Sequence, residues 1–117
     1  MALSKSLLIV DDNGELRRLI RVLVEDLADE LFECDGGVAA VAAYQKHRPD
    51  WVLMDIQMKG GNGLNATQQI TAAFPEAKVV IVTNFADEKT REAAHKAGAV
   101  GFVAKDNLLD VRRFLDS

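Results

Sequence analysis

The sequence predicts a three-layer α/β fold in which five strand–helix units wind onto one parallel sheet. Three observations carry this. Short runs of Val, Ile and Leu, each the length of a buried strand, recur along the chain. Segments with apolar residues at helical spacing lie between them. Polar residues suited to chemistry follow the runs, where parallel sheets gather their sites.

The first run is Leu7 to Val10. The first helix follows, its buried face marked by Leu16, Leu19, Ile20, Leu23, Val24 and Leu27. Leu31 to Cys34 is a weaker run; it fills the place where a strand keeps the alternation regular, and it is read as an edge strand. An alanine-rich stretch from Val38 to Tyr44 supplies the second helix, and Pro49 falls just after it. Trp51 to Met54 is the third strand, followed by a helix through Ala66, Ile70, Ala73 and Phe74 that stops before Pro75. Val79 to Val82 is the fourth strand, and Asp87 stands where an N-cap would open a helix through Ala93, Ala94 and Ala97, closed by Gly98. Val100 to Val103 is the fifth strand, and Leu108, Val111 and Leu115 mark the last helix. Alternation of this kind implies right-handed crossovers and a sheet covered on both faces; the flavodoxin-like strand order 2-1-3-4-5 is one of two common solutions.

Composition narrows the function classes. A chain of 117 residues with 49% hydrophobic and 27% charged residues and two prolines supports one core without an internal linker. A net charge of -4 without any Lys/Arg run argues against nucleic-acid or membrane binding by this chain. No apolar stretch approaches the roughly 20 residues that cross a bilayer. Cys34 has no cysteine to pair with, and Met1 to Lys5 lead directly into a strand instead of a signal sequence, so a reducing cytoplasm fits best.

The strand ends carry Asp11 and Asp12 after the first strand, Asp55 after the third, Thr83 after the fourth and Lys105 after the fifth. In a 2-1-3-4-5 order the first and third strands are neighbours, so three carboxylates converge and repel unless a cation intervenes. Mg²⁺ suits such a partial oxygen cage, since it takes one or two carboxylates and leaves positions for water and phosphate. A carboxylate beside that ion can attack phosphorus while an ammonium and a hydroxyl balance charge on the phosphoryl oxygens. Each residue alone has a plainer reading: Asp11 as a turn former, Thr83 as a strand residue, Lys105 as a solvated charge, Phe102 as core. Trp51 and Tyr44 read as packing residues, Cys34 as a small buried hydrophobe, and His47 and His95 as lone solvated side chains.

The set Asp11-Asp12, Asp55, Thr83 and Lys105 resembles the response-regulator receiver domains, the CheY-like family of two-component signal transduction, over the whole chain. Met54-Asp55-Ile56-Gln57-Met58, with Gly60 and Gly63, follows that family's loop pattern, and Phe102, three positions before Lys105, stands at its aromatic switch position. The resemblance implies a CheY-like (βα)5 fold with Asp55 as phosphoacceptor. Asp12 and Asp55 would bind Mg²⁺ directly, Asp11 through water, and the Gln57 backbone carbonyl would complete the protein's share. Lys105 would pair with the phosphoryl oxygens, and Thr83 would move inward to bond one of them, letting Phe102 turn into the vacated space. The surface of the fourth helix, fifth strand and fifth helix then changes, a population shift driven by those differential contacts.

The implied partners are a sensor histidine kinase or phosphotransfer protein and a downstream protein or output domain, with phosphorylation-dependent homodimerisation through the same surface. No enzymatic activity beyond the domain's own phosphorylation and dephosphorylation is implied. Residues 1–117 are then one receiver (response regulatory) domain with no output domain in this chain, either standing alone or as the receiver portion of a longer regulator.

Two departures matter. Lys59 stands where the family usually has proline, so the loop after Asp55 loses a fixed φ, with three nearby glycines adding mobility and a cost to metal affinity. Phe85 and Gln57, two residues beyond Thr83 and Asp55, border the expected path of the hydrolytic water, and a bulky apolar group there would slow dephosphorylation. Other functions fit less well. A haloacid-dehalogenase-type phosphotransferase needs a second acid where Gln57 stands, and a flavodoxin needs a Ser, Thr and Gly-rich loop where Asp11 and Asp12 would repel the FMN phosphate. A phosphate-independent pseudo-receiver would be expected to lack one of the five site residues.

Overall fold

The computed structural model describes residues 5–116; the N-terminal stretch read as lacking a signal sequence falls mostly outside that range, as does Ser117. Five strands, β1 (Ser6–Val10), β2 (Glu30–Cys34), β3 (Trp51–Met54), β4 (Val79–Thr83) and β5 (Gly101–Ala104), form one parallel sheet in the order β2-β1-β3-β4-β5. Five helices connect them: α1 (Gly14–Val24), α2 (Gly37–His47), α3 (Gly63–Ala73), α4 (Glu88–Lys96) and α5 (Val111–Leu115).

The two-residue period of the strands splits their apolar runs between the two faces of the sheet, so two clusters stand where one core is expected. Leu8, Val10, Val52, Met54, Val79 and Ile81 face α2, α3 and α4, where Ala40, Tyr44, Ala66, Ile70 and Ala94 meet them. Leu7, Ile9, Trp51, Leu53, Val80, Val82 and Val103 face Ile20 and Val24 of α1 and Val111 and Leu115 of α5. Burial on both faces is why these strands read as continuous Val/Ile/Leu runs. β2 pairs on one side only, which explains its weaker pattern: Leu31, Phe32 and Cys34 are each only partly buried.

The registers align the site. Val10 pairs with Met54 across β1 and β3, so Asp11 and Asp55 leave the sheet side by side. Thr83 pairs with Ala104 across β4 and β5, which places Lys105 one residue past that edge.

Several local expectations are corrected. Val100 lies outside the fifth strand and is exposed; pairing begins at Gly101 opposite Val80, where a Cβ would fall 2.5 Å from the Phe114 ring. Leu27 falls in a 3₁₀ turn beyond the end of α1, and Leu19 is 48% exposed, so the buried face of that helix is narrower than its apolar spacing suggests. Leu108 lies in a 3₁₀ segment from Lys105 to Asp110, broken by a non-helical Asn107, and α5 proper starts only at Val111. His47 is exposed but not alone, since its ring stacks on Phe32 with centroids 3.9 Å apart. Asp87 caps α4 as expected, its side chain accepting the Thr90 N–H at 2.7 Å. Pro49 follows α2 after Arg48, a non-glycine residue held at φ 46° with its guanidinium 3.8 Å from the centre of the Phe74 ring.

Candidate functional site

The carboxyl edge of the sheet brings all five strand-end residues to one depression of about 250 Å³, lined by Asp11, Asp12, Asp55, Gln57, Thr83 and Lys105, with Asn13, Asn84 and Phe85 at its margin. Asp55 is 6% exposed and Asp11 2%, whereas Asp12 faces solvent. Each of the three carboxylates offers an oxygen within 4.8 Å of the other two. Water cannot screen so close a buried pair well, and Lys105 answers part of the repulsion. Its ammonium lies 3.0 Å from Asp11 Oδ2 and 3.2 Å from Asp55 Oδ1, and its side chain is only 13% exposed.

The local backbone fixes these groups. The Asp55 N–H donates to the Val10 carbonyl at 2.9 Å and the Asp11 N–H to the Cys34 carbonyl at 3.1 Å, which extends the ladder by one residue on each strand. Asp55 Oδ1 accepts the Ile56 N–H at 2.9 Å, and Asp11 Oδ1 accepts the Asn13 N–H at 2.9 Å. Asp12 Oδ2 accepts the Lys59 N–H at 3.2 Å. Thr83 is fully buried, and its hydroxyl oxygen accepts the Phe85 N–H at 3.1 Å. Gly63 opens α3 directly beneath Asp55, so close that a Cβ would lie 1.7 Å from the Asp55 carbonyl oxygen; only glycine allows the helix to start there.

Burial pushes the Asp55 carboxyl above the usual aspartate range, the Asp11 charge adds to that, and Lys105 opposes it. Burial works against the Lys105 ammonium, but its hydrogen bond to Asp11 and the charge of Asp55 outweigh this and raise its pKa. Lys105 therefore remains a cation. Two buried carboxylates and a third at the rim face one ammonium, and a hard divalent ion with oxygen preference would meet the remaining charge; Mg²⁺ fits this donor set.

Phe102 lies away from the acids, on the face of β5 beside α4. It is partly buried, the Arg91 guanidinium sits 4.7 Å from its ring centre, and it lines a cavity of about 530 Å³ with Arg91, Ala94, His95, Val100 and Phe114. Gln57 lines the acidic depression, and its side chain is exposed. Phe85 is 48% exposed at the margin.

Two supporting residues carry no local sequence signal. Arg17, one turn into α1, donates to the Asp11 carbonyl at 2.5 Å and to Glu33 of β2 at 3.0 Å. Glu33 also accepts from Arg21 at 2.8 Å; burial alone would raise its pKa, but the two guanidiniums prevail and hold it below the usual range. Lys59 acts through its backbone N–H, which residue type alone does not advertise.

A family model described as the response regulator receiver domain matches residues 7–113. The chemotaxis protein CheY of Halobacterium salinarum is 35% identical over 103 residues, covering 88% of this chain and 86% of that protein. The oxygen regulatory protein NreC of Staphylococcus epidermidis is 36% identical over 108 residues, and the match spans 86% of this chain but 48% of that longer protein. Among solved structures, a DNA-binding response regulator of the LuxR family from Staphylococcus aureus superposes with a TM-score of 0.85 at 26% identity, covering 96% of both chains. The receiver domain of a putative NarL from Mycobacterium tuberculosis shares the fold at a TM-score of 0.85 and 21% identity.

Proposed function

This chain belongs to the response regulator receiver domain family, and on that premise we propose that it is a phosphorylation-dependent switch of a two-component phosphorelay, with Asp55 as the phosphoacceptor. The observation that carries the assignment is the placement of Asp55, buried at the sheet edge between Asp11 and Lys105 and within ligand reach of Asp12.

Asp55 Oδ1 is held by the Ile56 N–H and the Lys105 ammonium, so Oδ2 is assigned as the attacking oxygen. It forms a bond to phosphorus as the bond from phosphorus to the donor nitrogen of a phosphohistidine breaks, which leaves an aspartyl phosphate and a histidine that takes up a proton. Asp11, Asp12 and Asp55, with the Gln57 backbone carbonyl, would hold Mg²⁺, which when bound would neutralise charge on the carboxylates and the phosphoryl oxygens. Lys105 moves its ammonium from Asp55 Oδ1 toward the new phosphoryl oxygens. Thr83 exchanges its acceptor role toward Phe85 for donation to a phosphoryl oxygen, and Phe102 turns toward the space this opens.

The donor is a sensor histidine kinase or a phosphotransfer protein, and the changed α4–β5–α5 surface acts on a downstream protein or an output domain, in the cytoplasm. Among the described residues no helix is long and apolar enough to cross a membrane. The domain's chemistry is its own phosphorylation and dephosphorylation.

Incubation with a small-molecule phosphodonor, with and without Mg²⁺, tests the proposal by intact mass. One phosphoryl group should appear on the wild type, and none in chelator or in Asp55→Asn. An unmodified, folded wild type would instead support a phosphate-independent binding module.

A further inference from the structure

Asp12 is the exposed member of the three carboxylates, yet hydrogen bonds hold the backbone on both sides of it. The peptide unit that leads into Asp12 contributes the Asp11 carbonyl, which accepts from Arg17 Nη1 at 2.5 Å. The peptide unit that leaves it contributes the Asn13 N–H, which donates to Asp11 Oδ1 at 2.9 Å. A residue has only two soft backbone torsions, and these relate the two planes, so holding both planes fixes φ and ψ at Asp12. Asp11 is held in turn: its N–H donates to the Cys34 carbonyl at 3.1 Å, and its Oδ2 lies 3.0 Å from the Lys105 ammonium. Arg17 also supports the turn from its backbone, its N–H donating to the Asn13 carbonyl at 3.1 Å. The guanidinium is aimed from the β2 side. Its Nε donates to Glu33 Oε1 at 3.0 Å, and Glu33 Oε2 accepts from Arg21 at 2.8 Å.

We propose that Arg17 is a positioning residue for Asp12: Glu33 aims its guanidinium at the Asp11 carbonyl, and that bond fixes the peptide plane from which Asp12 enters the acidic site. The inference rests on the reading of Asp11, Asp12 and Asp55 as a Mg²⁺ site. Among the described residues the Arg17 side chain bonds the Asp11 backbone and Glu33 and no carboxylate of the acidic set, so its effect on an ion passes through the chain. Stability does not explain the arrangement, because the Glu33 side chain is 30% exposed and ion pairs at such exposure contribute little. The geometry uses a fork of donors. Nε and Nη1 serve two acceptors from one rigid plane, which a lysine ammonium on a flexible stem does not reproduce. An exposed carboxylate has rotational freedom to lose on taking a ligand, and a fixed backbone leaves only its side-chain torsions to order. Positioning and charge act with opposite sign here. A guanidinium near the site repels Mg²⁺, so on charge alone its removal tightens binding, whereas loss of positioning weakens it.

Mg²⁺ titration followed by backbone amide NMR, with hydrogen exchange of the metal-free protein, tests this on the wild type, Arg17→Met, Arg17→Lys and Glu33→Gln. Methionine keeps an apolar stem and the helix propensity of arginine. Arg17→Met should bind Mg²⁺ about tenfold more weakly, the lower end of what losing support behind metal ligands costs. Its Asn13 amide should exchange faster while those of Ile20 and Val24 keep their protection. Arg17→Lys keeps the charge and should also bind more weakly than the wild type, which a pure charge effect would not produce. Glu33→Gln leaves Arg17 and the acids in place and should move both readouts the same way by less. Arg17→Met binding Mg²⁺ as tightly as the wild type or more tightly, or with Asn13 exchange unchanged, would overturn the proposal. Loss of protection at Ile20 and Val24 together with Asn13 would overturn it too, since Arg17 would then serve α1 as a whole. Glu33→Gln with both readouts unchanged would overturn the aiming by Glu33, even if Arg17→Met proved unable to fold. A wild type that takes no Mg²⁺ would overturn the site reading, and the metal-free exchange of Asn13 would still report on the turn.

Discussion

At the scale of single residues, the site is a set of carboxylates whose mutual repulsion the Lys105 ammonium only partly offsets. Asp55 is the centre of that conflict, since burial and Asp11 both oppose its ionisation and Lys105 only partly offsets them. Its proton is therefore held more tightly in the folded protein than in the unfolded chain, and the wild type without metal loses stability as pH rises from the ordinary aspartate range through the Asp55 midpoint. Asp55→Asn removes that loss. Its metal-free thermal midpoint at neutral pH should exceed that of the wild type by a gain on the order of 1 kcal/mol, or roughly 4 °C for a domain of this size; a lower midpoint would mean that the pairing with Lys105 dominates. Phe85 tests a different property of the same edge. Its ring stands at the margin of the acidic depression, about half exposed. Phe85→Ala should shorten the phosphoprotein's lifetime severalfold, and an unchanged half-life would dissociate the ring from hydrolysis. These acids, the threonine and the lysine are legible in the sequence because each follows a strand run with a side chain suited to chemistry. The contributions of Lys59 and Arg17 were not, since one acts through an N–H that every residue but proline owns and the other spans from α1 to a carbonyl and to β2.

At the scale of elements, the site depends on how closely helices approach the strand ends. Gly63 is the tightest such point, with α3 starting against the Asp55 carbonyl. Gly63→Ala should cost at least the roughly 1–3 kcal/mol typical of overpacking, read as a lowered denaturation midpoint, and should also reduce phosphorylation of whatever remains folded because Asp55 itself must move. A variant with unchanged stability would show that the helix can retreat freely. Buried strands were the most readable elements, since burial on both faces writes itself as a run of Val, Ile and Leu. The edge strand β2 was weak because only one side pairs and its side chains are partly exposed. The apolar run predicts the fifth strand one residue early because Val100 continues the pattern and its N–H bonds the Val79 carbonyl at 2.8 Å, although paired register begins only at Gly101. The sequence predicts one continuous last helix because Leu108, Val111 and Leu115 keep helical spacing across a 3₁₀ segment that Asn107 breaks.

At the scale of the whole molecule, the parallel order β2-β1-β3-β4-β5 gathers the strand-end polar residues at one edge, and in the proposed switch the α4–β5–α5 face carries the result outward. That face holds an open cavity bordered by Phe102, Arg91 and Phe114. If phosphorylation remodels it for self-association, sedimentation should show a heavier species with a phosphoryl mimic and Mg²⁺ than without; a constant monomer would confine the signal to other partners. Strand order and the gathering of polar residues at the sheet edge are foreseeable from the alternation of strands and helices, whereas the proposed path from Asp55 to Phe102 depends on side-chain packing that no spacing encodes. The most direct test of the switch is therefore the backbone amide spectrum with and without beryllofluoride and Mg²⁺, a phosphoryl mimic seated on Asp55. The switch requires large shifts at Asp55, Thr83 and Lys105 that continue through Phe102 into α4. Shifts confined to the strand ends, with Phe102 and α4 unperturbed, would contradict it.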